Sequence, residues 1–341
     1  MADVSILPTQ SGGSRRLLWL GALLGLLGLC VLLSLGFGAR LTGWADLRAA
    51  LTGQVETMGQ AAVASRVPRT ALAALAGASL GLAGAVMQGL TRNPLADPGI
   101  LGVNAGAALA VVVGLATFGL DTSGAYVWTA IFGAAVAAAG VYTIASLGAG
   151  GATPLKLALG GAALTAALTS LTTAVILPRG DISGLVQSWL VGGVGGATWE
   201  RIAPVLPFLG LGAIFSFLSA RKLNLLALGD DTAASLGESV WQARILAAAG
   251  AVTLCGATTA ACGPIGFVGL VVPHLCRLLL GVDYRAILPG SALAGAVLLL
   301  LADIAGRLVA RPAELDVGIV TAFVGAPVFI WIVRRKRVTA L

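Results

Sequence analysis

Ten apolar runs recur along this chain, and the short segments between them hold nearly all of its charge. The runs cover 17–37, 68–90, 99–117, 126–148, 155–177, 201–220, 244–262, 266–280, 286–306 and 317–333. A helix needs about 20 mainly apolar residues to cross a bilayer, and most of the runs meet that length. Only 10% of the 341 residues are charged, against about 25% in soluble domains. So little charge cannot coat a folded surface, and much of that surface must face lipid. The expectation is an all-α polytopic membrane protein of about ten transmembrane helices, a single transmembrane domain over 1–341. The eighth run is short and carries Pro273, so it is not expected to cross as a straight helix.

Basic residues set the orientation, because Lys and Arg accumulate in cytoplasmic segments. With the N-terminus inside, thirteen of the 21 Lys and Arg fall inside and eight outside. The bias favours N-in and C-in, with cytoplasmic tails at 1–14 and 334–341 and a longer cytoplasmic segment at 221–243. Arg15-Arg16 before an apolar run mimics a signal peptide, but the run is too long and lacks a small-x-small cleavage site. It reads as a retained first helix. Arg-Arg-Lys-Arg at 334–337 reads as a stop-transfer anchor.

Glycine is the second signal, with 48 residues, mostly inside the runs. Gly77, Gly81 and Gly84 put a flat strip on one face of the second run, the kind of surface that lets helices approach closely in lipid. The segments 84–102 and 256–270 echo one another, each joining a helix to a Gly/Pro corner and a shorter helix. Two such halves, read in opposite directions, would form inverted repeats of five helices, an arrangement common among transporters.

Several chemistries lack their residues. The chain has three lysines, none after a glycine, so no phosphate-cradling loop is present. Cys30, Cys255, Cys262 and Cys276 lie in apolar runs with no metal-ligand spacing, and His274 is the sole histidine. No cofactor, metal site, catalytic residue or nucleic-acid partner is expected. Asp303 is the one acid near a run; it either couples an ion or pairs locally with Arg307 four residues on. With so few intramembrane charges, the energy for any pumping must enter from another chain.

Three blocks carry a family resemblance. The first is S-R-V-P-R-T-A-L-A-A-L-A-G-A-S-L-G-L-A-G-A-V-M-Q-G-L-T-R-N-P-L-A-D-P-G-I-L-G-V-N-A-G-A (65–107), and the second is L-N-L-L-A-L-G-D-D-T-A-A-S-L-G (223–237). The third runs from G-F-V-G-L-V-V-P-H-L-C-R (266–277) through A-D-I-A-G-R (302–307) to V-G-I-V-T-A-F-V-G-A-P-V-F-I-W (317–331). Together they resemble the FecCD-type permeases of bacterial ABC importers for iron-siderophores, heme and cobalamin, over about 15–337. The wording of the first two blocks is similar to that of ferric-enterobactin permeases.

The resemblance implies a multi-pass permease of the bacterial cytoplasmic membrane, driven by two separate ABC ATPases. It also implies a second permease subunit, identical or paralogous, and a periplasmic or lipid-anchored siderophore-binding protein. The cargo expected is an iron(III)-siderophore, with heme or cobalamin as the alternative cargo and a stand-alone carrier or channel as the alternative machine. Arg66, Arg69 and Arg307, all on the outside, match arginines that dock the binding protein; snorkelling at the membrane edge is the competing reading. Pro68 between Arg66 and Arg69 suits the first turn of a helix. Leu228, Gly229, Asp230, Asp231, Ala233, Ala234, Leu236 and Gly237 match the ATPase contact. There, Asp230 or Asp231 suits the N-terminus of a short helix and Gly237 its end. Thr165, Thr169 and Thr172 are expected along the translocation path, although such hydroxyls also bond back to their own helix. Asn93-Pro94 and Asp97-Pro98 cannot continue a helix, so Thr91–Ala107 reads as a cytoplasmic corner near the gate.

Overall fold

A computed structural model describes residues 13–335, apart from 39, 41–42, 54–55, 100, 121 and 148–152. The tail ends 1–12 and 336–341 lie outside the described residues. Among the described residues there is no strand. In chain order the helices are α1 (Gly13–Gly36), α2 (Trp44–Leu51), α3 (Met58–Thr91), α4 (Val103–Phe118), α5 (Ser123–Ser146), α6 (Pro154–Ile176), α7 (Gly180–Leu190) and α8 (Trp199–Ile202). They continue as α9 (Leu206–Leu218), α10 (Ala220–Leu226), α11 (Asp230–Ser235), α12 (Val240–Cys262), α13 (Val268–Leu280), α14 (Tyr284–Val309) and α15 (Val317–Arg335).

Each of the ten apolar runs contains a helix. Six helices are individually long and apolar enough to cross a membrane, and a seventh crossing arises if α9 and α10, bent by 46°, act as one. The expected run 201–220 is thus broken into α8, α9 and the start of α10. α13 has 13 residues; at about 1.5 Å per residue it falls short of the roughly 30 Å hydrocarbon layer.

Two sequence expectations about proline are corrected. Pro68 does not open the second run: α3 begins ten residues earlier, at Met58, and Pro68 lies inside it. The cause is a capping box, in which Gln60 N–H donates to Thr57 Oγ1 (3.2 Å) while Gln60 Oε1 accepts from Thr57 N–H (3.0 Å). Two orphan donors are satisfied reciprocally, so the helix nucleates at Thr57 and tolerates the one bond that Pro68 deletes. Pro273, for its part, does not break α13, which runs through it.

α3 is the axis of the molecule. It packs along α14, α12 and α13, and 78% of its most apolar stretch is buried, against 11% for α1 and 22% for α6. The glycine strip makes this possible. A Cβ at Gly77 would overlap the carbonyl of Gly295, one at Gly81 that of Ser291, and one at Gly84 that of Gly269. Gly77 and Gly81 therefore face α14, while Gly84 faces α13. The lightly buried α1 and α6 leave apolar faces for lipid or another chain.

Candidate functional site: two polar ends of an apolar bundle

At the end of the bundle where α3 begins and α14 ends, the three arginines expected to dock a partner are gathered, but their guanidinium groups turn inward. α1 has no basic residue in its last turn, and the last four carbonyls of a helix have no intrahelical donor. Arg66 Nη1 donates to Leu35 O (3.0 Å) and Gly36 O (3.1 Å), and its Nη2 to Arg40 O (2.7 Å). Arg307 Nη1 donates to Ser34 O (3.0 Å) and Phe37 O (2.9 Å), and its Nη2 to Ser34 Oγ (2.7 Å). Two arginines from other helices thus cap α1, and Arg66 and Arg307 are only 5% and 1% exposed.

Asp303, fully buried, is the counter-charge. Arg307 Nη2 lies 2.8 Å from Asp303 Oδ2, the expected i,i+4 pair, as an ion pair without hydrogen-bond alignment. Arg69 joins it: Nε donates to Asp303 Oδ1 (2.9 Å) and Nη1 to Glu314 Oε2 (2.5 Å). Sequence separation of 234 and 245 residues hid both contacts. Arg40, Arg48, Arg311 and Glu314 stay exposed around this cluster.

At the other end, the corner after α3 is a pair of Asx turns. Arg92 ends α3 with φ 49°, Asn93 Oδ1 accepts from Leu95 N–H (3.0 Å), and Asp97 Oδ1 accepts from Gly99 N–H (2.7 Å). Side chains so engaged, each followed by Pro, redirect the chain into α4. The second corner, 263–270, packs onto this one. Asn104 Nδ2 donates to Ile265 O (3.4 Å), and a Cβ on Gly269 would strike Asp97 and Pro98. The two echoing segments are therefore in contact. Gln88, 2% exposed, completes the junction by donating Nε2 to Gly269 O and Leu270 O (both 3.2 Å). Its Oε1 accepts from Arg277 Nη1 at 2.5 Å. His274 is buried in α13 beside these contacts in sequence.

The segment expected to meet an ATPase folds around α11, held between α10 and α12. Its N-cap is Gly229 (φ 108°), with no side-chain cap, which corrects the expectation that Asp230 or Asp231 caps it. Asp230 is taken instead by two arginines: Arg92 Nη2 on Oδ1, and Arg244 Nη2 on Oδ2 at 2.8 Å. The C-terminus is a Schellman motif, with Glu238 N–H on Ala233 O (3.0 Å) and Gly237 N–H on Ala234 O (2.9 Å). Gly237 takes φ 83°, where a side chain is strained. Ala233 is buried, whereas Leu228 and Leu236 are each 59% exposed. Lys222 pairs with Glu238 at 2.5 Å. Nearby, Asp283 accepts from Asn224 Nδ2 (2.8 Å) and Arg16 (3.1 Å), tying α1, α10 and α14 together.

The threonines of α6 divide. Thr172 is buried and donates to Leu168 O (2.8 Å), Thr169 is exposed and its carbonyl accepts from Thr173, and the Thr165 hydroxyl is buried without a partner among the described residues. None lines the cavity of about 500 Å³ between α4, α5, α7 and the C-terminal end of α12, which has Glu200, Arg201 and Asp316 among its polar lining. The four cysteines are free and buried, and among the described residues no three His, Cys, Asp or Glu cluster as a metal site would.

A helical bundle of this apolarity, with small-residue packing and charge confined to its two ends, is a polytopic membrane protein. Residues 26–335 match the FecCD transport family, and the chain belongs to it. It is 46% identical over 273 residues to the ferric enterobactin permease FepD of Escherichia coli, covering 80% of this chain and 81% of that one. Against the iron(3+)-hydroxamate permease FhuB of Bacillus subtilis it is 44% identical, covering 80% and 71%. Against the hemin permease HmuU of Yersinia pestis it is 40% identical, covering 80% and 82%. A solved metal-chelate type ABC transporter in an inward-facing conformation superposes with a TM-score of 0.79 at 28% identity, covering 94% of this chain and all of that one.

Proposed function

We propose that this permease carries an iron(III)-siderophore across the bacterial cytoplasmic membrane, with ten crossings, N- and C-termini inside, and energy from two separate ATPases. The observation that carries this reading is α11: a six-residue helix, capped at its end by a Schellman turn and flanked by the exposed Leu228 and Leu236, beside two ion-paired anchors. Exposed leucines on a rigid turn suit a groove in another protein. The names of the relatives, which include enterobactin, hydroxamate and hemin permeases, support the cargo class.

A second permease subunit covers the apolar face left open by α6 and α15, and Thr165, Thr169 and Thr172 lie along the path so enclosed. The binding protein docks at the α3/α14 end. Arg66 and Arg307 serve it by fixing the end of α1 and Arg69 by holding Asp303 and Glu314, while the exposed Arg40, Arg48 and Arg311 are the groups its carboxylates meet.

The test is uptake in proteoliposomes containing the permease alone, the permease with its ATPases, or both with the binding protein. Ferric enterobactin, a ferric hydroxamate, ferric citrate and hemin are offered in turn. Accumulation of a ferric siderophore only with ATPase and ATP is expected. Accumulation against a gradient by the permease alone overturns the reading, and uptake of hemin only overturns the cargo.

A further inference from the structure

We infer that Asp230 is a positioning residue that makes α11 and the α3–α4 corner move as one body, through its shared ion pairs with Arg92 and Arg244. The inference rests on the reading of α11 as the ATPase contact and adds the route by which its displacement reaches the corner.

Three elements converge on one carboxylate, and one of them, α3, is distant in sequence. Arg92 closes α3 and opens the corner, Asp230 is the first residue of α11, and Arg244 stands in the first turns of α12. Each carboxylate oxygen faces one guanidinium, so neither arginine can be withdrawn without leaving half of the carboxylate uncompensated. A single arginine would only brace α11 against one neighbour. Two, from helices in opposite halves of the chain, make it a junction.

The stiffness on each side decides what the junction does. Beyond Arg92 the backbone is locked by the Asn93 and Asp97 turns, and just before it Gln88 ties α3 to α13. The far end of α11 is held by Lys222–Glu238 at 2.5 Å. With both flanks rigid, the Arg92–Asp230 pair is the contact through which a displacement of α11 reaches the corner. Its side chains are 35% and 41% exposed, so the pair is weak as a stabiliser, yet sufficient to bias which of two arrangements the corner follows.

The experiment uses the full complex of permease, ATPases and binding protein, with spin labels at Leu95→Cys in the corner and Ser235→Cys on α11. The four native cysteines are buried and need not be removed. Distances are measured without nucleotide and with ATP trapped by vanadate. The expected result is a Leu95–Ser235 separation that is the same in both states. In Arg92→Gln it differs between the states, and in Arg92→Lys, which keeps a cation against Asp230 and leaves the Arg244 pair intact, it is constant again. A separation that changes equally in the unmutated complex and in Arg92→Gln overturns the inference. Crosslinking of Ser235→Cys to the ATPase is scored separately: its absence overturns the assignment of α11 as the contact, whereas its presence with uncoupled distances overturns only the junction.

Discussion

The side-chain amide of Gln88 donates to the carbonyl of Gly269 at 3.2 Å, and that carbonyl is the one that Pro273, four residues on, cannot serve because it has no N–H. A buried polar group left unpaired in an apolar interior is costly. Gln88 removes that cost, and Arg277 fixes the orientation of its amide. α13 therefore stays helical through its proline, pinned to α3 at the point where the two corners meet.

Replacing Gln88 with Leu should leave Gly269 O unserved and cost about 1–3 kcal/mol, the range for a buried group that loses its partner. Thermal unfolding of the purified protein in nanodiscs measures it. Pro273→Ala should suppress part of that loss in the double variant, since it restores a backbone donor; full additivity of the two changes counts against this account.

The glycine strip predicts a sharper effect. Gly81→Val would drive a side chain into the carbonyl of Ser291, and overpacking of this kind costs about 1–3 kcal/mol or more. Folded yield should collapse, while Gly21→Val, on open space in α1, should be silent. Size-exclusion profiles of the two variants make the comparison.

Asp303 neutralises Arg69 and Arg307 inside the cluster. Asp303→Asn should cost about 3–5 kcal/mol, as breaking a buried ion pair from one side does. Exposed Arg48→Ala should change stability by less than about 0.5 kcal/mol. Equal melting temperatures for the two variants would contradict the inward orientation of the arginines.

Arg66→Glu separates docking from folding. Because Arg66 caps α1, the substitution should lower stability as well as uptake. Arg48→Glu, at an exposed position, should weaken binding-protein association with little loss of melting temperature. Affinity measured on immobilised complex, beside thermal unfolding, resolves the two effects.

The clamp at Asp283 gives a pH dependence. Burial pushes its carboxyl up, but the Arg285 backbone N–H, the Asn224 amide and Arg16 outweigh it and hold the pKa below the usual aspartate value. A carboxyl depressed by folding adds stability above its unfolded value and loses it as pH falls through the folded one. The stability gap between the natural protein and Asp283→Asn should be full at neutral pH and shrink below about pH 4. A gap independent of pH would remove the charge from the explanation.

Much was determined by the sequence alone. Hydrophobic length located the ten helical runs, because lipid admits only backbones that satisfy themselves. The spacing of Gly77, Gly81 and Gly84 marked the close-packed face, and Gly237 marked the end of α11, since both are local consequences of lacking a Cβ. Asn93-Pro94 and Asp97-Pro98 marked a corner for the same kind of reason. What the tertiary structure decided is where charges find partners. Arg66, Arg69 and Arg307 read as outward groups, yet they cap α1 and surround Asp303. Asp230 read as a helix cap, yet it joins Arg92 to Arg244. Gln88, a single amide in an apolar run, gave no hint that it serves the carbonyl opposite Pro273. Backbone propensity acts between neighbours in the chain, whereas an ion pair or a side-chain cap depends on which distant helix the packing brings within about 3 Å.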